Sequence, residues 1–343
     1  MSFDIHYCQA APASGDLPDD EVRSWADRNL HFTRRPIDDG SVEYWYENED
    51  TDVYFALTQV AHQTSTDRRD EERPPLPPPL RYVGWNGNLN YCRPSFFAYE
   101  AMPILADFAA SFGLNIFDPQ EFDDGRNGLM AVPHAPLLVS SWLEHNQRAI
   151  EALFAHYRNH EERRFPSVHI MDEALLTQIW RHNFHREVIQ EAHGPNAFVP
   201  RVSLISGLAD DVLHSVVVWG EGIPIILPRT DGILLVNTRR SFFGWKPTHK
   251  LHFVSMQDAL PFLERQLHDY DRDRGLFLLK DGDRESLEST FDTILASSVA
   301  PDVTNLAKIV KFDQCIDVVP KNSGETDPGM RVIVRDPGNA GNA

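Results

Sequence analysis

Fifteen histidines, 51 acidic side chains and three cysteines are the groups in this chain that could do chemistry, and their spacing decides which could act together. His156 and His160 lie four residues apart and His182 and His185 three apart, separations that put both rings of a pair on one helix face. Neither pair brackets the carboxylate of a His-Glu-x-x-His zinc site, so both read as surface or hydrogen-bonded histidines. His249 and His252 have mixed facing and carry still less. Asp269-Tyr-Asp-Arg-Asp-Arg-Gly275 opens like a calcium loop, but its glycine falls one place late and Lys280 stands where a bidentate Glu belongs. Asp281-Gly-Asp283 reads as a turn and helix cap ahead of Leu287, Phe291 and Leu295. Cys92 beside Arg93 has a neighbour that could lower its pKa. Yet the chain holds no nucleophile elbow, Walker loop or dinucleotide-binding glycine motif. The residues point to no catalytic, cofactor-binding or metal site, and the expectation is a protein that is not an enzyme.

What the carboxylates do instead is cluster. Glu47, Glu49, Asp50 and Asp52 form one group, Glu121, Asp123 and Asp124 a second, Asp210 and Asp211 a third, and Asp269, Asp271 and Asp273 a fourth. With 51 acidic against 32 basic residues the formal charge is −19, which repels phosphates and anionic lipid and draws in cationic partners. The densest basic runs, Arg163-Arg164 and Arg239-Arg240, are too small for a nucleic-acid footprint. Trp45, Tyr46, Tyr54 and Trp85 lie next to the acidic groups. Aromatic anchors ringed by carboxylates suit protein docking, the rings giving affinity and the charges steering. The candidate partner-binding residues are therefore Trp45, Glu47, Glu49, Asp50, Asp52, Trp85, Glu121, Asp123 and Asp124. The competing reading, that these aromatics belong to the core of a sheet, stays open.

Positioning such groups requires regular elements. Aromatic and β-branched runs over 42–48 and 53–59 flank an acidic tetrapeptide and predict a hairpin with an acidic tip. Residues 62–80 form a proline-rich loop, extended in character, with a polyproline ligand as its alternative role. A strand follows over 82–91, then a helix over 96–112 that Pro103 should kink or split. A short strand over 114–118 and a long helix over 137–159 complete a first unit, and the polar stretch 160–166 suggests a junction. Beyond it the pattern predicts a helix over 172–191 and strands over 199–205, 214–219, 223–227 and 233–237. The turns at Gly220-Glu-Gly222 and Asp231-Gly232 make an antiparallel meander the simplest arrangement of the last three. A strand at 251–255, a helix over 257–270, a strand at 276–279, a helix over 285–296 and a strand at 316–319 finish the chain. Its tail, 321–343, has the composition of a flexible segment. The expected fold is α+β in two units, 1–160 and 168–320, each a mostly antiparallel sheet with packed helices.

Hydrophobic residues at 42% and charged residues at 24% are ordinary for a globular chain. No apolar run approaches the roughly 18 residues that span a bilayer, so no membrane partner is expected. Met-Ser-Phe-Asp-Ile-His-Tyr-Cys at the start lacks the pattern of a signal peptide. Cys8, Cys92 and Cys315 are few, odd in number and far apart, which predicts free thiols in the cytoplasm. The segments Tyr44-Trp-Tyr-Glu-Asn-Glu-Asp-Thr-Asp-Val-Tyr-Phe55 and Asn88-Leu-Asn-Tyr-Cys-Arg-Pro-Ser-Phe-Phe97 resemble bacterial proteins encoded beside contact-delivered toxins, above all type VI secretion effectors. The resemblance lies mainly within residues 42–120 and brings no catalytic residues with it. It implies an immunity protein, a cytoplasmic partner that binds a cognate toxin and blocks it. A nuclease toxin, basic because it must hold nucleic acid, would suit the negative charge. Two alternatives remain: an adaptor or chaperone for a secreted effector, and an enzyme whose site is assembled from distant residues such as Cys92 with a histidine, or Asp123 with Asp124.

Overall fold

The computed structural model describes residues 2–10, 17–37, 40–59, 76, 78–125, 128–158, 168–208, 212–239, 248–271, 275–280 and 284–317. Most of the proline-rich loop, the polar junction, Asp210, Asp211, Asp273, residues 281–283 and the tail 321–343 lie outside the described residues. The chain forms two units, Met1–Glu173 with Asp313–Ala343, and Ala174–Phe312. The first unit thus runs past the junction suggested by composition and takes back the segment from Asp313.

Alternating burial builds the first unit. Its elements are β1 (Ser2–Ala10), α1 (Asp19–Ala26), β2 (Phe32–Pro36), β3 (Val42–Asn48), β4 (Val53–Gln59), β5 (Leu80–Asn90), α2 (Phe96–Ser111), β6 (Asn115–Phe117), α3 (Pro119–Asp123), β7 (Leu129–Met130), α4 (Ala135–Arg158) and β8 (His169–Ile170). Strands one to seven pair antiparallel in the order β2-β3-β4-β5-β1-β6-β7. Phe3, Ile5 and Tyr7 of β1, Tyr44 and Tyr46 of β3, and Phe55 and Leu57 of β4 point to one buried face, as a period of two requires. Helices cover that face. The Tyr7 hydroxyl donates to the Leu105 carbonyl of α2 at 3.1 Å. Trp25 of α1 packs on Phe32 and Phe108, and Trp142 of α4 stacks on Tyr91.

α2 is apolar over most of its surface and is buried accordingly. It runs as one element through Pro103, which lies on its exposed side where a lost amide costs least. Two abutting helices are therefore not formed. Its approach to the sheet is permitted by Gly87, where a Cβ would lie 3.0 Å from both Ile5 Cγ1 and Leu105 Cδ2.

The second unit contains α5 (Glu173–Phe184), α6 (Arg186–His193), β9 (Ser203–Ser206), β10 (His214–Gly220), β11 (Ile225–Pro228), β12 (Gly232–Arg239), β13 (Thr248–Ser255), α7 (Met256–Leu263), β14 (Leu267–Asp271), β15 (Leu276–Leu279), α8 (Arg284–Ala296) and β16 (Lys308–Val310). One sheet has the order β13-β12-β10-β9-β16 and the other β11-β15-β14. The predicted meander does not form, because β10 and β12 pair in parallel and β11 leaves for the second sheet. Ile225-Ile-Leu-Pro228 is buried at every position, a two-sided apolar run that needs cover on both faces. Asp231 holds the parallel pair by accepting both the amide and the hydroxyl of Ser215 at 2.7 Å.

Two helices also differ from expectation. The one over 172–191 breaks at His185, and the one over 257–270 stops at Leu263, residues 267–271 becoming strand β14. α8 packs Phe291 edge-on against Trp219 at 5.3 Å. Finally β17 (Cys315–Ile316) pairs in parallel with β8 of the first unit. The fold is α+β, mostly antiparallel sheet with packed helices. Among the described residues no helix is long and apolar enough to cross a membrane.

Candidate functional site

The β3–β4 hairpin closes with Asn48 opposite Val53, and its tip, residues 49–52, carries Asp52 at φ 57°. That conformation is unusual outside glycine and is tolerated best by Asp and Asn. The tip is held from inside. Glu100 of α2, 2% exposed, accepts on one oxygen from the Tyr46 hydroxyl at 2.9 Å, the Asn48 amide at 2.9 Å and the Thr51 hydroxyl at 3.1 Å. Asn48 in turn accepts the Asp50 amide at 3.1 Å. Burial, and then the Glu100 charge, push the Tyr46 hydroxyl far above its usual range, so it remains a donor. A buried carboxylate with three donors converts a four-residue loop into a rigid projection.

The outer side of the hairpin carries a second support. Trp45 stacks on Tyr54 with ring centroids 5.5 Å apart and planes 17° from parallel. The Arg35 guanidinium sits 4.5 Å from the Trp45 ring centre. Because β2 and β4 flank β3 on opposite sides, the indole is bracketed by Arg35 from one strand and Tyr54 from the other. Arg93 extends the ladder, donating through Nε and Nη2 to the Tyr54 hydroxyl at 3.1 and 2.7 Å. The Trp45 indole N–H donates to Glu47 at 3.0 Å, and Arg35 lies 3.8 Å from the same carboxylate. That ion pair is exposed and worth little in stability. Its effect is to fix the side chains: Trp45 is half-buried and locked, while Glu47 and Glu49 face solvent and Asp50 and Asp52 are partly covered.

The remaining candidates fall elsewhere. Trp85 is 1% exposed, packs near Tyr44 and Phe108, and donates its indole N–H to the Leu17 carbonyl at 2.9 Å. It is a core residue, on the inward parity of β5 with Val83 and Leu89, and Tyr46 is likewise core. Glu121 and Asp124 belong to a separate group around α3, and the side chain of Asp123 lies outside the described residues. There Asp118 accepts the Gln120 and Glu121 amides, and the Ser141 hydroxyl lies 2.7 Å from Asp118 and 3.1 Å from Glu121. Burial raises the Asp118 carboxyl, with Ser141 and the two amides opposing it. Asp124 pairs with Arg148 and sits 3.5 Å from His145. β5 and β1 lie between β4 and β6 in the sheet, so the hairpin tip and α3 adjoin strands that are not neighbours. They do not form one cluster.

Burial lifts the Cys8 thiol to about 11 and raises Cys315 further, while Cys92 is also raised despite Arg93. Burial thus opposes thiolate formation at all three positions. The buried His182 ring bonds the Pro200 carbonyl at 2.9 Å. Asp269 and Asp271 lie in strand β14 rather than in a calcium loop. Among the described residues no group of three His, Cys, Asp or Glu side chains could hold a metal ion. The Glu100 clamp was not singled out from sequence. Its signal was a lone carboxylate inside the apolar run Phe96-Phe-Ala-Tyr-Glu-Ala-Met102. No known protein family, curated protein or solved structure matches this chain.

Proposed function

We propose that this protein is an immunity protein: it binds a cognate basic toxin, a nuclease, in the bacterial cytoplasm and blocks it by tight protein–protein contact. The observation that carries the reading is the acidic hairpin, clamped inside by Glu100 and outside by the Arg35–Trp45–Tyr54–Arg93 ladder. A nuclease must present a cationic groove to bind phosphates, and a rigid projection carrying Glu47, Glu49, Asp50 and Asp52 offers that groove a competing set of anions. Rigidity lowers the entropy lost on binding, since neither the tip nor Trp45 needs ordering at that moment. The net charge of −19 adds long-range attraction that accelerates encounter with a cationic partner. The three free thiols suit a reducing compartment.

The test is co-expression with the basic toxin domain that the reading expects the adjacent gene to encode. The reading requires that the toxin's activity be abolished. A toxin that remains active while bound would identify an escort protein instead, and one that remains active and unbound would remove the reading.

A further inference from the structure

Leu30 is 93% exposed, the most exposed large apolar side chain among the described residues. Its backbone is pinned on both sides. The Phe32 amide donates to the Asn29 carbonyl at 3.2 Å, closing a β-turn with Leu30 at its second position. The Asn29 side chain accepts the His31 amide at 3.0 Å, and the Asn29 amide donates to the Ala26 carbonyl at the end of α1 at 2.9 Å. The two residues that follow are fixed by their rings, His31 edge-on to Tyr46 at 5.4 Å and Phe32 against Trp25, Tyr46 and Phe55. Leu30 thus stands at the apex of a held turn, with only its own rotamers left to order on binding.

Strand register places this apex beside the acidic tip. Phe32 lies opposite Tyr46, and the His31 carbonyl accepts the Glu47 amide at 3.0 Å. The turn before β2 therefore sits at the end of the sheet from which residues 49–52 project. A single exposed leucine in a loose loop needs no explanation. One held in a hydrogen-bonded turn, one strand from Glu47 and the tip, makes a surface with an apolar knob and an acidic flank.

We propose that Leu30 is the apolar anchor of the toxin-binding surface, seating in an apolar socket of the toxin whose rim carries the Lys or Arg side chains that the acidic tip meets. The inference rests on the toxin-binding reading and names the kind of partner surface that fits it. Carboxylates attract any cationic groove, whereas the leucine favours only a groove with a socket beside it, so Leu30 sets specificity and the charges set the rate of encounter. Apolar burial involves no charge, so its contribution does not fall as salt rises. Truncation to alanine removes three side-chain carbons, which corresponds to roughly fiftyfold in affinity if all are buried.

Calorimetry of the full chain tests this with two probes, poly-L-lysine and the basic toxin domain that the reading expects the adjacent gene to encode. Leu30→Ala should unfold at the wild-type temperature and bind poly-L-lysine as the wild type does. It should bind the toxin domain roughly fiftyfold more weakly, at low and at physiological salt alike. Glu47→Lys/Glu49→Lys should weaken binding of both probes, with a loss that shrinks as salt rises. Wild-type affinity of Leu30→Ala for the toxin domain overturns the anchor and leaves the toxin reading standing. A Leu30→Ala loss that shrinks with salt, or that extends equally to poly-L-lysine, also overturns it, because Leu30 would then act only through the charges. Failure of the wild type to bind the toxin domain removes the toxin reading and the anchor with it.

Discussion

Replacing Glu100 by alanine would unload the clamp beneath the hairpin, and the structure sets the size of the effect. One oxygen of Glu100 takes three buried donors, from Tyr46, Asn48 and Thr51. A buried donor left without an acceptor costs about 1–3 kcal/mol. Removing the carboxylate also removes its own desolvation cost, which offsets part of that loss. The net expectation is about 3 kcal/mol for Glu100→Ala and about 1 kcal/mol for Glu100→Gln, which retains one acceptor oxygen. Denaturant unfolding of the full chain, fitted with a separate transition for each unit, reads the difference. The double variant Tyr46→Phe/Glu100→Ala should lose about 1 kcal/mol less than the sum of the single losses, because the orphaned hydroxyl is gone. Equal costs for alanine and glutamine, or strict additivity in the double variant, would refute the clamp.

Other consequences are simpler to state. Trp85→Ala should cost about 3–5 kcal/mol of stability as a large-to-small core change, whereas Trp45→Ala should cost under about 1 kcal/mol yet weaken partner binding. Thermal unfolding and calorimetric titration of the two variants separate these effects. Gly87→Ala should destabilise by about 1–3 kcal/mol, since its Cβ would press on Ile5 and Leu105 at 3.0 Å, and urea midpoints will show it. Cys8 and Cys315, buried and with raised thiol pKa values, should resist alkylation at pH 8 until denaturant is added, as mass spectrometry of quenched samples will record.

The hairpin was legible because three local signals agreed: alternating aromatic and β-branched residues, matched strand lengths, and a polar tip between Asn48 and Val53. α4 and α8 were legible from their apolar stripes for the same reason. Partner choice among strands was not. Gly220-Glu-Gly222 is a good turn in isolation, but the two-sided burial of Ile225–Pro228 sends β11 to another sheet, and no local pattern around the turn carries that demand. The predicted helix over 257–270 ran too far because Leu267-His-Asp-Tyr-Asp271 is too polar to show a strand period, and pairing with β15 decides its conformation. Trp45 and Trp85 look alike in sequence. Only strand parity separates them, Trp85 sharing the inward side of β5 with Val83 and Leu89. The Glu100 clamp depends on contacts about fifty residues apart along the chain, which no motif spacing reports.

The most direct test of the proposed function is the affinity of the full chain for the basic toxin domain that the proposal requires, measured by calorimetry at low and physiological salt. Wild-type protein should bind tightly, with an affinity that weakens as salt rises. The double reversal Glu47→Lys/Glu49→Lys should fold as the wild type does and lose roughly a hundredfold in affinity. Undiminished binding by the reversed protein would contradict the account, because the hairpin would then not be the surface that meets the toxin.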